Sequence, residues 1–310
     1  MEYHALTWHN YLLPGIYHIT LTQLPGREPF SVVEGTPSEP VVTLTPFGHA
    51  TEAILKETLN QMPSFFLGTY RIMPDHIHMV VTVLEILRRS IRSEIAVAKS
   101  QISKAYSRMR GLRHTESVFV KDFHHRVIFN ADELEICKRY VSDNPRRLLV
   151  KRERPELFRT YHHLAVGDME MAAYGNIFLL RDFHKQQVRI HRAWTDGEFS
   201  EYKRHSLLCA ENGGVLVSPF IHPREREIRD EALLLGARII HLRIDGFRER
   251  FKPSGRDFEL CSQGRLLLLA PWPDNADTDM TRTAALSMND MARYIASIDY
   301  STPTLLRAAE

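Results

Sequence analysis

The chain has 310 residues, with 40 Lys and Arg against 38 Asp and Glu and a formal net charge of +2. Hydrophobic content of 44% and charged content of 25% are ordinary globular values, which excludes a disordered polyelectrolyte and leaves room for two domains. A surface for a polyanion must therefore be local. The three cysteines, Cys137, Cys209 and Cys261, are odd in number and far apart. They fit neither a disulfide framework nor a zinc site and read as reduced thiols of a cytoplasmic protein. Residues 1–5 carry no basic-then-apolar signal pattern, and no run approaches a membrane span.

In chain order, residues 24–62 are turn-rich, with glycines and prolines at Gly26, Pro29, Gly35 and Pro37. A short strand over 41–44 and a helix over 50–61 are expected there, with no chemistry attached. The next segment is Met73-Pro74-Asp75-His76-Ile77-His78-Met79-Val80-Val81. Pro74-Asp75 is turn chemistry, which places both histidines near the start of a strand. Strand side chains alternate faces, so His76 and His78 point the same way and can reach one metal ion, while Ile77 and Met79 face the core. With 16 histidines in the chain, about one such pair arises by chance, so the spacing needs a partner elsewhere.

Between residues 88 and 113 lie Arg88, Arg89, Arg92, Lys99, Lys104, Arg108, Arg110 and Arg113 against the single acid Glu94. Ile91, Ile95, Ala98, Ile102 and Ala105 recur at three- and four-residue steps, which predicts one amphipathic helix or two short ones with a basic face. A second helix is expected from residue 130. Asn130 or Asp132 can cap it, acids fill its first turn, and Leu134, Ile136, Cys137 and Val141 give an apolar side. Pro145 is expected to stop this helix at Asn144. Tyr140 and Asn144, four apart, share its face. Taken alone, that pair reads first as a hydrogen-bonded helix end.

Taken together, the H-x-H strand and the Tyr-Val-Ser-Asp-Asn-Pro helix end resemble the HUH endonucleases of the single-tyrosine transposase superfamily. The match is to the REP-associated tyrosine transposases, relatives of the insertion-sequence-200 type. The resemblance runs from about residue 15 to about residue 150 and includes a first strand at 15–21 and an aromatic strand at 118–128. It implies an α+β HUH nuclease domain with an antiparallel sheet over residues 1–165. It further implies that His76, His78 and Asn144 hold a divalent metal and that Tyr140 is the nucleophile. Two neutral imidazoles and an amide oxygen leave a divalent ion a strong Lewis acid, and a phosphoryl site suits Mg²⁺ or Mn²⁺. The implied activity is site-specific cleavage and rejoining of single-stranded DNA through a 5′-phosphotyrosine, in transposition or repeat-palindrome processing. The implied partner is single-stranded DNA with a hairpin or palindromic repeat, and a homodimer is a compatible assembly. Phosphate contacts are expected from Arg88, Arg89, Arg92, Lys99, Lys104 and Arg108, and from Arg146 and Arg147 after the tyrosine. The chain departs from the family's Phe-His-Asp-Arg strand in carrying His125 where the acid stands, which is read as polar support or a phosphate contact. Asp75 stands where asparagine is common. His124, His162 and His163 read as surface or DNA-contacting residues rather than ligands.

After about residue 166, apolar runs alternate with helical segments. Strands are expected at 176–180, 187–191, 214–218, 238–244 and 265–271, and helices at 199–211, 223–235, 256–262 and 281–297. This alternation predicts a Rossmann-like α/β domain over 166–310 with a parallel sheet covered on both faces. It looks distantly like the domain of the DNA-processing Smf family. No phosphate-binding glycine motif is present, so its cofactor is unknown. Two other readings of the whole chain are a DNA-binding regulator that keeps the fold without catalysis, and a nucleotide-sensing module with a vestigial first domain.

Overall fold

The computed structural model describes residues 9–60, 64–248, 251–272 and 279–298. The signal-pattern reading at residues 1–5 and the expected helix end at 61 lie outside them. The chain divides into two compact units, Met1–Arg152 and Glu153–Glu310.

The first unit is α+β, with strands β1 (Gly15–Thr22), β2 (Ser31–Thr36), β3 (Glu39–Leu44), β4 (Phe65–Ile72), β5 (His76–Val83) and β6 (His124–Ile128). Its helices are α1 (Pro46–Asn60), α2 (Ile91–Met109) and α3 (Ala131–Glu153). Four strands form an antiparallel sheet in the order β4-β5-β1-β6, and β2 and β3 make a separate hairpin. The hairpin is the excursion at 24–62, where only the second strand was expected.

Alternation decides what each sheet face does. Tyr17, Ile19 and Leu21 of β1 and Ile77, Met79 and Val81 of β5 have no exposure and cluster with Phe47, Leu55 and Leu59 of α1 and Ile91, Ile95, Ala98 and Ile102 of α2. Burying one such side chain contributes about 1.5–3 kcal/mol, and a one-residue slip would turn the whole set outward. The core thereby locks the register that holds His18, Thr20, His76 and His78 on the opposite face. Helix α2 is one continuous helix, started by Ser90, whose hydroxyl accepts from Ser93 N, and ended before Gly111 at φ +65°.

The expected strand at 118–128 is shorter than its sequence suggests. Only His124–Ile128 pairs in the sheet, and Phe119 makes an isolated bridge to Gln23. Beside that bridge Leu24 N donates to Val118 O and Val120 N to Thr22 O, and side chains of α2 satisfy more of this backbone: Ser103 Oγ accepts from Val118 N at 3.1 Å, and Lys99 Nζ donates to the carbonyls of Val120 and Lys121 at 2.8 and 2.9 Å.

Helix α3 does not stop at Asn144. It runs through Pro145 to Glu153, capped by Asn130, whose Oδ1 accepts from Glu133 N at 2.9 Å. An interior proline costs about 3 kcal/mol by removing a backbone donor and crowding the preceding turn. Burial offsets that cost: Pro145 and Val150 are buried, and Leu149 packs with Val33 and Met73. Arg152 ties the same turn to the β2–β3 hairpin by donating to Val33 O at 2.9 Å.

In the second unit, strands β7 (Thr160–Val166), β8 (Met169–Gly175), β9 (Lys185–Gln187), β10 (Val215–Ser218), β11 (Arg238–Leu242) and β12 (Leu266–Ala270) form one sheet in the order β7-β8-β12-β11-β10-β9. Strands β9 to β12 are mutually parallel, while β8 and β7 extend the sheet antiparallel. Helices α4 (Asp196–Glu211), α5 (Pro223–Leu234) and α6 (Gly255–Ser262) contribute to one core cluster, and α7 (Arg282–Ser297) contributes to another with the alternate strand residues. Covered parallel strands match the expectation, but the sheet is mixed. Its parallel strands also lie side by side in chain order, without the reversal that makes the ligand crevice of a doubly wound sheet.

Three local expectations fail in this unit. The strand expected at 187–191 lies earlier, at Lys185–Gln187, and only Gln187 is shared. Residues 176–180 give a 3-10 helix, Ile177–Arg181, because Asn176 turns its side chain to accept from Phe178 N. The β7–β8 hairpin was not anticipated, and because β7 pairs in the second sheet the division falls at Arg152–Glu153 rather than near residue 165. Among the described residues no helix is long and apolar enough to cross a membrane.

Candidate active site

The first sheet's solvent-side face carries a polar row set by strand pairing. Arg71 of β4 lies opposite His78 of β5, His78 opposite Thr20 of β1, and Thr20 opposite His124 of β6. One step along the strands, Thr22 pairs with His76, and His18 lies between Val80 and Arg126. Directly opposed residues have Cβ atoms about 4.5–5.5 Å apart, so these side chains form one patch.

The expected same-face arrangement of His76 and His78 is present, with ring centroids 4.7 Å apart and planes at 80°. His76 Nδ1 is 2.7 Å from Asp75 Oδ1. His78 is buried, and its Nδ1 is 2.9 Å from Thr20 Oγ1 and 3.2 Å from His18 Nε2. Burial, reinforced by the nearby His124 and Arg126, pushes the His18 imidazole down to about 4. His124 is likewise lowered, mainly by burial.

Helix α3 brings Tyr140 against this row, its ring 5.3 Å from His78 and 5.9 Å from His18, edge-on to both. Asn144, one turn later, is buried and donates from Nδ2 to Tyr140 O at 2.8 Å. A carbonyl can only accept, so this bond fixes the amide and assigns Oδ1 as the atom that can accept or ligate elsewhere. The Tyr140–Asn144 hydrogen bond is thus side chain to backbone and leaves the phenol's orientation to other contacts.

The expected phosphate contacts separate into different environments. Arg88, Arg89, Lys104 and Arg108 are exposed and Arg92 is half-buried, but α2 packs on the sheet face opposite the histidines. Arg89 is paired with the buried Glu94 at 3.1 Å, and Arg92 lies 3.8 Å from Asp122. Lys99 is spent on the two loop carbonyls, and burial lowers its pKa. Arg146 closes a fork onto Asp143 at 2.6 and 3.0 Å. Arg147 is buried, its guanidinium carbon 5.4 Å from the centre of the Tyr140 ring, so it lies beside the tyrosine rather than on a solvated face.

His125 does not join the row. It pairs with Ile19 on the core side, and its Nε2 is 3.1 Å from Tyr11 Oη. Period-two alternation therefore gives the site His124 and withholds His125. His162 and His163 lie on β7 in the second unit, where His163 meets Glu170 at 2.8 Å.

Residues that the sequence reading missed are His18, Thr20, Arg71 and Arg126. A signal existed for the first three. His18 and Thr20 share parity on the first strand. Reading Pro74-Asp75 as a hairpin turn, with Ile72 opposite Ile77, would have placed Arg71 beside His78.

Among the described residues no three His, Cys, Asp or Glu side chains converge as a metal site. No family model matches the chain. No curated protein matches it either. Among solved structures the chain is similar to a REP-associated tyrosine transposase bound to a REP hairpin, at 17% identity and a TM-score of 0.33, over 46% of this chain and 73% of that one.

Proposed function

We propose that the first unit is a metal-dependent nuclease and strand transferase for single-stranded DNA, with Tyr140 as nucleophile. The observation that carries this reading is the meeting of Tyr140 with His78 and His18 on the face that also holds His76. A tyrosine from a helix and a histidine pair from a strand, 62 residues apart in sequence for His78 and Tyr140, have no structural need for one another.

The donor set fits a divalent cation. His76 is oriented through Nδ1 by Asp75, which directs Nε2 to any ligand, and the Asn144 amide has Oδ1 to offer. His76, His78 and Asn144 would hold Mg²⁺ or Mn²⁺, which supplies Lewis-acid polarisation of a phosphoryl oxygen.

The chain's own residues account for the rest. Tyr140 Oη forms the new P–O bond and loses its proton to solvent, while the P–O3′ bond breaks and the 3′ oxygen takes up a proton, leaving a 5′-phosphotyrosine and a 3′-OH. The same energy-neutral exchange run backwards by another 3′-OH rejoins strands. Arg147 beside the phenol ring places positive charge where anionic character develops. Arg71, His124 and Arg126 line the approach of the phosphate backbone.

The test is a covalent adduct. Native chain incubated with hairpin-bearing single strands and Mn²⁺ is expected to form a protein–DNA species stable to denaturing electrophoresis. Tyr140→Phe, which keeps the ring, is expected to abolish that species while binding and folding persist. An adduct formed by the Phe variant refutes the assignment.

A further inference from the structure

We infer that His18 is a positioning residue whose buried imidazole, together with the Thr20 hydroxyl, holds His78 in the tautomer that offers Nε2 to a divalent cation. The inference rests on the metal reading of His76 and His78 given above. His78 has one ring nitrogen, Nδ1, turned into the sheet, where Thr20 Oγ1 stands at 2.9 Å and His18 Nε2 at 3.2 Å. A neutral imidazole carries one N–H, and the nitrogen without it is the one that can ligate.

Two arrangements satisfy these contacts. In the first, His78 holds its proton on Nδ1 and donates to Thr20 and His18, so Nε2 keeps its lone pair. In the second, His18 Nε2 and Thr20 donate to His78 Nδ1, the His78 proton moves to Nε2, and ligation is blocked. Between these two partners of Nδ1 the choice falls to His18, because a hydroxyl can donate or accept but the ring nitrogen of a given tautomer does only one.

The surroundings favour a fixed ring. His18 is 8% exposed and is held by strands on both sides through its pairing with Val80 and Arg126. Its ring also stands 5.9 Å from Tyr140 and 5.2 Å from His78, so one side chain supports both the ligand and the nucleophile. Hydrogen-bond partners behind metal-bound histidines commonly change metal affinity by about 10- to 100-fold when removed.

The experiment measures Mn²⁺ binding by calorimetry, and the His78 tautomer by ¹⁵N correlation spectra of histidine-labelled protein, in full-length chain without DNA. The native chain is expected to show His78 protonated on Nδ1. His18→Phe keeps the packing and removes the acceptor; Mn²⁺ affinity is expected to fall about tenfold or more, with the His78 proton appearing on Nε2. His18→Asn, whose Oδ1 can accept, is expected to recover part of the affinity. Circular dichroism identifies any variant that fails to fold, and the native tautomer decides the question without a variant. Unchanged Mn²⁺ affinity in folded His18→Phe, or a native His78 protonated on Nε2, overturns the inference while leaving the metal site standing. A native chain that binds no Mn²⁺ overturns both. Because DNA is absent from this assay, loss of the tyrosine chemistry alone leaves the result unaffected.

Discussion

Arg71→Ala separates two routes for the bound strand. Arg71 is exposed on the edge strand β4, opposite His78 in the row that ends at His124. The strongly basic α2 instead packs against the sheet's other face through Ile91, Ile95 and Ile102. A strand whose scissile phosphate lies between His78 and Tyr140 must cross the row and cannot at the same point lie on α2. A charge-assisted hydrogen bond contributes about 1.5–3 kcal/mol, and the solvated position of Arg71 argues for the lower end, about tenfold in affinity. One phosphate contact fewer also reduces the slope of log affinity against log salt by about 0.7 for a single strand. Fluorescence anisotropy of labelled single strands across a salt series measures both quantities. The paired reversal Lys104→Glu with Arg108→Glu, on the far side, is expected to change affinity less than about threefold through long-range field alone. If that pair weakens binding more than Arg71→Ala, or Arg71→Ala leaves the salt slope unaltered, the strand follows α2 and the row is not its track.

Chelation is expected to stop adduct formation reversibly, with His76→Ala and His78→Ala abolishing it and His162→Ala and His163→Ala leaving it near native; equal loss from all four refutes the metal site. Lys99→Met is expected to cost about 2 kcal/mol of stability in urea unfolding, from two charge-assisted bonds to loop carbonyls, with DNA affinity of the folded protein unchanged. The His18 imidazole has its folded pKa lowered from 6.5 to about 4, so the unfolded chain binds more protons between those values and stability falls as pH drops through that window. The full effect is about 3 kcal/mol below the folded pKa and about 2 kcal/mol near pH 5. Urea unfolding in chelator at neutral and mildly acid pH measures it, and His18→Phe should flatten the response; a variant that keeps the native slope assigns it to other groups.

What the sequence determined by itself is local and periodic. A period of two puts His76 and His78 on one face and Ile77 and Met79 on the other, and burial of Ile77 and Met79 enforces the choice. A period of 3.6 puts Tyr140 and Asn144 one turn apart on α3, and the sequence narrowed its cap to Asn130 or Asp132, of which the fold uses Asn130. The apolar runs of β10, β11 and β12 were legible because strands buried on both faces need no alternation. Tertiary structure decided which elements are neighbours. The order β4-β5-β1-β6 is not written in any one segment, yet it brings His18, Thr20 and Arg71 around His78. Propensity at Pro145 was overridden because packing of Leu149 and Val150 outweighs one lost backbone bond. Charge alone does not reveal such placement: Lys99 and Arg147 read alike as basic residues, and the fold sets the first on loop carbonyls and the second beside the tyrosine ring. A side chain's type sets what it can bind, whereas the desolvated partners beside it, fixed only by long-range packing, set what it does bind.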